Sequence, residues 1–272
     1  MDWSKSKSIF IVVFLILNIF LYTQYVDVYT QGQKVEVLSE KTTEAKLKDE
    51  NITYMPLQDN VEKFSYLSGE MRDFGENEIP SNNLVDIKII DDYIASGTFK
   101  KPIVLKDTLN ETNLQTFASM SIHEGDKYML WDIFEDERYA LYFQKINDRM
   151  LYYNSSGYLK VYWNENNEIY AYEQTMLENI EQLKKKDNII PQIQALQALY
   201  SRNFLKPDSR VIHMNLGYST LVQITKTQVF APTWEVRVQN TDGQVEEHFV
   251  NAFEGKVLEF EKSSSALEDE EE

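Results

Sequence analysis

The sequence predicts an α+β protein: one N-terminal transmembrane helix, then a body of two subdomains, each an antiparallel sheet with a helix. Three observations on the body, and one on the start of the chain, lead there. The 272 residues include 17 Tyr, 14 Phe and 4 Trp, and these gather with β-branched residues in short runs that suit strands. Clusters of Asn, Asp, Gly and Ser separate the runs as turns do. Two stretches carry apolar residues at helical spacing, one in each half. The chain opens on 19 residues without a charge, 8–26.

That opening stretch is the first element. Twelve of the thirteen residues from Ile9 to Leu21 are Ile, Val, Leu or Phe, which together favour insertion into lipid by about 4 to 7 kcal/mol. As a helix, residues 8–26 cover roughly 28 Å, close to a bilayer core of ~30 Å. A cleaved signal peptide is the competing reading, but no small-x-small pattern follows Leu21 closely. The nearest weak candidate is Thr30-Gln31-Gly32. An anchor that stays is therefore expected.

Trp3, Lys5, Lys7, Tyr22 and Tyr25 sit where interfacial anchors belong, and Lys5 and Lys7 favour a cytoplasmic start of seven residues. Everything after residue 26 then lies outside the cell membrane. Phe14, Leu17, Asn18 and Leu21 form the candidate contact with a partner helix. A carboxamide in hydrocarbon is costly unless it is bonded. Asn18 either meets another membrane helix or bonds back to its own.

Met1-Asp2-Trp3, with Lys5, Lys7, Ile9, Phe10 and Ile11, reads M-D-W-x-K-x-K-x-I-F-I. It leads into Phe14-Leu15-x-Leu17-Asn18-x-Phe20-Leu21. This start resembles the YycI (WalI) family, single-pass regulators of the YycG/WalK sensor kinase of low-GC Gram-positive bacteria. The resemblance is sharp over residues 1–25 and general in the acidic, aromatic-rich body. It implies an extracellular ectodomain, a YycH-like partner of similar build, and helices touching those of a sensor histidine kinase. It brings no catalytic residues.

Residues 27–50 read as a polar stalk, with helix favoured over 44–48 and strand-like alternation at 35–37. The first subdomain is 51–176. Strand-forming segments are expected around 61–71, 85–95, 128–134, 138–153 and 158–172, punctuated by turns at 135–137, 154–157 and 164–167. Tyr158, Lys160 and Tyr162 face one side, and Leu159, Val161 and Trp163 the other. A helix is expected over 110–122, capped by Asn110 or Thr112, with Leu114, Phe117, Ala118 and Ile122 inward.

The second subdomain, 177–262, begins with a helix that has Pro191 in its first turn and Ile193, Leu196, Leu199 and Tyr200 on one face. Strands follow at 210–215, 219–228, 233–239, 244–252 and 256–261, with Asn240-Thr241-Asp242-Gly243 as a hairpin. Trp234, Val236 and Val238 pack inward, while Glu235 and Arg237 face water. The phrase HFVNAFEGKVLEF, residues 248–260, is similar to the close of PepSY-type binding modules. It reads more simply as an ordinary turn around Gly255. Residues 263–272 form a solvated acidic tail.

The formal charge is −17. So acidic a chain repels phosphate backbones, and nucleic acid is not an expected partner. The chain has no cysteine, which excludes disulfides, thiolate metal sites and a Cys nucleophile. His123, His213 and His248 lie far apart. His123-Glu124 and Glu247-His248, if on strands, point to opposite faces. No nucleophile elbow or phosphate-cradling loop is present, so neither enzyme activity nor a cofactor is expected. Three functions remain in view: a non-enzymatic regulator with a kinase, a YycH-like protein and membrane lipid as partners; an anchored ligand-binding (PepSY-like) module; and an anchored hydrolase using a carboxylate pair that spacing does not reveal.

Overall fold

The computed structural model describes residues 3–31, 42–58, 63–75, 79, 84–105, 109–224 and 226–260. The expected acidic tail and most of the first part of the stalk lie outside them. The chain divides into two units, Met1–Lys46 and Leu47–Glu272. The fold is α+β and mostly sheet, with four α-helices among the described residues.

The first unit holds α1 (Trp3–Gln31) and the start of α2 (Thr43–Asp49). Apolar residues are spread evenly around α1 instead of forming one stripe. Its described side chains, residues 10–26, are nearly all exposed. Among the described residues, no helix is long and apolar enough to cross a membrane. The side chains described for α1 cover roughly 25 Å of helix.

In the second unit, the strands are β1 (Thr53–Tyr54), β2 (Lys63–Phe64), β3 (Leu67–Met71), β4 (Val85–Ile90), β5 (Ile94–Val104), β6 (Tyr128–Phe134), β7 (Tyr139–Ile146) and β8 (Arg149–Tyr152). They continue as β9 (Tyr158–Trp163), β10 (Glu168–Gln174), β11 (Leu177–Gln182), β12 (Asp187–Asn188), β13 (Arg210–Ile224), β14 (Thr227–Gln239), β15 (Val245–Asn251) and β16 (Val257–Leu258). α3 (Glu111–Ser121) and α4 (Gln192–Ser201) complete the set. A 14-stranded sheet runs β11-β3-β14-β13-β8-β7-β9-β10-β5-β4, with β1, β15, β16 and β6 attached beside it. Pairing is antiparallel except where β1 and β8 lie parallel to β13. β14 carries β3 and β15 end to end along one edge, because β3 pairs with residues 227–230 and β15 with residues 233–239.

Three hydrophobic clusters fill the body. One sets α3 against β5, β7, β9 and β10 around Leu114, Phe117, Tyr142 and Tyr172. A second sets α4 against one face of β13–β15, and includes Leu47, Ile52, Phe64 and Leu67. The third is small and aromatic: Trp131, Phe143, Tyr152 and Phe249.

Several elements differ from expectation for local reasons. The runs at 85–95 and 138–153 are hairpins and not single strands, broken at turns whose Asp91, Asp92, Asn147 and Asp148 take positive φ, whereas 158–172 breaks at the expected turn, where Asn167 takes positive φ. Conversely, 210–215 and the first part of 219–228 join into the single strand β13, which ends at Ile224, while Thr227 and Gln228 already belong to β14. Gly217 is there for space and not for a turn: a Cβ would stand 2.4 Å from Met150 O and 2.5 Å from the Tyr152 ring. Pro191 is the N-cap residue of α4 and not part of its first turn, since its ψ of 159° is extended. Of the two candidate caps of α3, Asn110 is the one used: its side chain accepts the Asn113 N–H at 2.9 Å. Ile122 is buried at the C-cap. Gly255, at φ +66°, makes the turn its sequence suits.

Candidate functional site

Two places on the chain concentrate features that folding alone does not require. The first is the face of α1 around Asn18. Residues 14, 17, 18 and 21 share one side of a helix by their spacing. Phe14, Asn18 and Leu21 line a shallow furrow with Ile11, Leu15, Ile19 and Tyr22, while Leu17 falls outside its lining. Among the described residues the Asn18 carboxamide makes no hydrogen bond, whereas Thr23 Oγ1 bonds back to Phe20 O at 2.8 Å. Tyr22 and Tyr25 are exposed. Trp3, Lys5 and Lys7 lie in the first turns of α1.

The second place was not expected. Strand alternation does send Trp234, Val236 and Val238 into the core with α4. It sends Glu235 and Arg237 to the opposite face, and that face is covered. The Glu235 side chain is only 2 % exposed. Trp131 of β6, Tyr152 at the end of β8 and Tyr153 just after it cover that face, meeting Phe249 of β15. The reading of Glu235 and Arg237 as water-facing is therefore corrected for Glu235. The covering residues come from about a hundred positions earlier, beyond the reach of a local pattern.

The charges there form a chain. Arg237 Nε is 2.7 Å from Glu235 Oε1 and 3.7 Å from Glu247 Oε1. Its guanidinium lies over the Trp131 ring, 4.6 Å from the centroid. Tyr153 donates its hydroxyl proton to Glu247 Oε2 at 2.9 Å. His213 Nε2 is 3.8 Å from Glu235 Oε2 and 2.7 Å from Asn215 Nδ2. Burial pushes the Glu235 carboxyl up to about 7, although Arg237 pulls it down and Glu247 adds to the rise. Burial, with Arg237 nearby, holds His213 below its ordinary value. Two carboxylates thus share one guanidinium at a junction that buries Glu235 and most of Glu247 and leaves Arg237 partly open.

This is a carboxylate pair that sequence spacing did not reveal, but it brackets a cation instead of opening onto a cleft. Two surface grooves of the body, each about 560 Å³, lie elsewhere: one along β11 with Arg72 and Lys127, the other between residues 53–56 and 210–212.

A second correction concerns His123 and Glu124. They sit in a turn and not on a strand, with Glu124 at φ 50°. Their side chains therefore meet, His123 Nε2 lying 3.5 Å from Glu124 Oε1. Glu124 also binds Arg72 at 2.8 Å and Lys127. Despite the opposing push of burial, these cations hold its carboxyl down at about 2. No group of three metal-ligating side chains occurs among the described residues.

Residues 32–253 match the family described as YycI protein. The chain belongs to the YycI family. The match begins beyond α1, so it is independent of the M-D-W start that bears the resemblance. YycI is a family of regulatory proteins. No curated protein matches the sequence.

Among solved structures, the YycI-family chain is similar to a protein from Eubacterium rectale: 10 % identity, TM-score 0.49, covering 78 % of this chain and 91 % of that one. It is similar to the C-terminal domain of YpeB from Bacillus megaterium: 12 % identity, TM-score 0.43, covering 82 % and 97 %. It is similar also to YycH from Bacillus subtilis: 10 % identity, TM-score 0.38, covering 70 % and 53 %.

Proposed function

We propose that this chain is a membrane-anchored, non-enzymatic regulator of a cell-wall-homeostasis sensor kinase of the YycG/WalK kind. α1 spans the bilayer with its N-terminus in the cytoplasm, and the body stands outside the cell. The body pairs with a YycH-like protein, and the Asn18 face of α1 touches the helices of the kinase. The observation that carries this reading is a YycI-family body joined to a helix apolar on all sides. A helix of that kind is stable in lipid or deep in a core, and its side chains here are exposed. A ligand that binds two kinase states unequally shifts them by the difference in affinity alone. For membrane helices that difference amounts to about 0.6 to 2 kcal/mol per polar contact.

The test is site-specific crosslinking from position 18 in intact cells, together with Asn18→Leu. Crosslinks to a sensor kinase are expected, with kinase co-purification falling roughly 3- to 30-fold in the variant, the equivalent of one such contact. Unchanged association and unchanged kinase output in Asn18→Leu would remove the helix-borne signal. A mature product free in the medium, starting after Val26, would remove the anchor.

A further inference from the structure

The charged junction in the body invites a separate conclusion, one that holds whatever α1 touches. Glu235 is faced from every side by elements of different parts of the chain. β13 presents His213. β14 itself presents Arg237. β15 presents Glu247, which holds Tyr153. β6 lays Trp131 on Arg237, with Asp132 a more distant charge on Arg237, and β8 brings Tyr152 within the field of Glu235, with Arg149 a more distant charge on Tyr152. Arg237 is the one cation in contact with both carboxylates, and it is also the group laid on Trp131. With both glutamates ionised the trio carries one uncompensated negative charge beside a fully buried Glu235. One proton makes it neutral.

We propose that this junction is a proton-operated latch: with a proton on the Glu235–Glu247 pair, the strands β6–β8 grip the β13–β15 face more tightly than without it. The geometry gives the direction. Neutral Glu235 leaves Arg237 to Glu247, which is 14 % exposed and already bonded to Tyr153. The guanidinium keeps its place on Trp131 with its charge matched. Ionised Glu235 adds a second buried anion beside the first, and like charges in a low-dielectric site repel. Opening the junction to water relieves that repulsion, so the latch loosens as the surroundings turn alkaline. Burial and Arg237 both hold His213 below its ordinary value, and its ring stands 3.8 Å from Glu235 Oε2 against 2.7 Å for Arg237 Nε, so the latch is assigned to the carboxylates and His213→Asn tests that assignment.

The test is hydrogen exchange on the full chain in detergent micelles at pH 5 and pH 8, corrected for intrinsic exchange. Each pH unit between the exposed and buried titration points of one carboxyl changes local protection up to tenfold. Protection of β6, β8, β14 and β15 is therefore expected to fall by roughly a hundredfold from pH 5 to pH 8. Glu235→Gln should flatten that dependence, and His213→Asn should leave it in place. Wild-type protection that is equal at the two pH values overturns the latch. So does a Glu235→Gln chain that retains the full dependence, or a His213→Asn chain that loses it. Should Glu235→Gln not fold, carbon-13 carboxyl titration of the wild-type chain decides: a Glu235 midpoint near 7 supports the latch, and one near 4.5 overturns it.

Discussion

Glu235 and Glu124 pull the pH dependence of stability in opposite directions. The Glu124 carboxyl is held near 2 in the fold, below its ordinary 4.5. Its contribution is present above pH 4.5 and is lost as pH falls toward 2. Glu235 is raised from 4.5 to about 7. The folded state then binds the extra proton, so stability falls as pH climbs from 4.5 through 7, by about 3 kcal/mol at most. Denaturant melts of the full chain across pH 2–9 should show a maximum near pH 4–5. Glu235→Gln should remove the alkaline decline and keep the acid one. The sequence displayed both residues without their environments. Alternation along Trp234-Glu235-Val236 says that Glu235 opposes the α4 core. It does not say that Trp131 closes the other face. Likewise, His123 and Glu124 meet only because Glu124 adopts a left-handed backbone.

At the scale of elements, the local signals carried well. α3 was legible because its four inward residues and its cap lie within thirteen positions. The cap is testable: Asn110→Ala orphans the Asn113 N–H and should cost about 1 kcal/mol. For a chain of this size that lowers the melting temperature by roughly 2 to 4 °C. Asn110→Ser should restore most of the loss. The Asn240–Gly243 hairpin was equally local, and Gly243 has the positive φ that its turn requires. The long β13–β14 hairpin was harder to read. Gly217 looks like punctuation in one dimension, yet it makes room for Tyr152 and Met150 in three. Glycine at a strand interior marks either a break or a close approach, and only the neighbouring strand tells them apart.

For the whole molecule, the fold class and the apolar start were readable, because composition and charge are properties of the chain alone. The order of strands was not. β3 beside β14 and β8 beside β13 are pairings across long sequence separations, and no local pattern encodes them. The proposed anchor makes its own prediction at this scale. The chain should stay with the membrane pellet after alkaline carbonate washing and leave it on detergent treatment. Recovery in the carbonate supernatant would count against a spanning helix.

The end-to-end seating of β3 and β15 on β14 also governs the order in which the body can assemble. β3 is synthesised early, and the strand it must join arrives about 160 residues later, or roughly 8 to 30 s at ordinary ribosome speeds. Until then its hydrogen-bonding rim is open to any passing strand, including that of a neighbouring nascent copy. A body built this way benefits from a holdase during synthesis, and shortening its early strands is one way natural sheets limit that exposure.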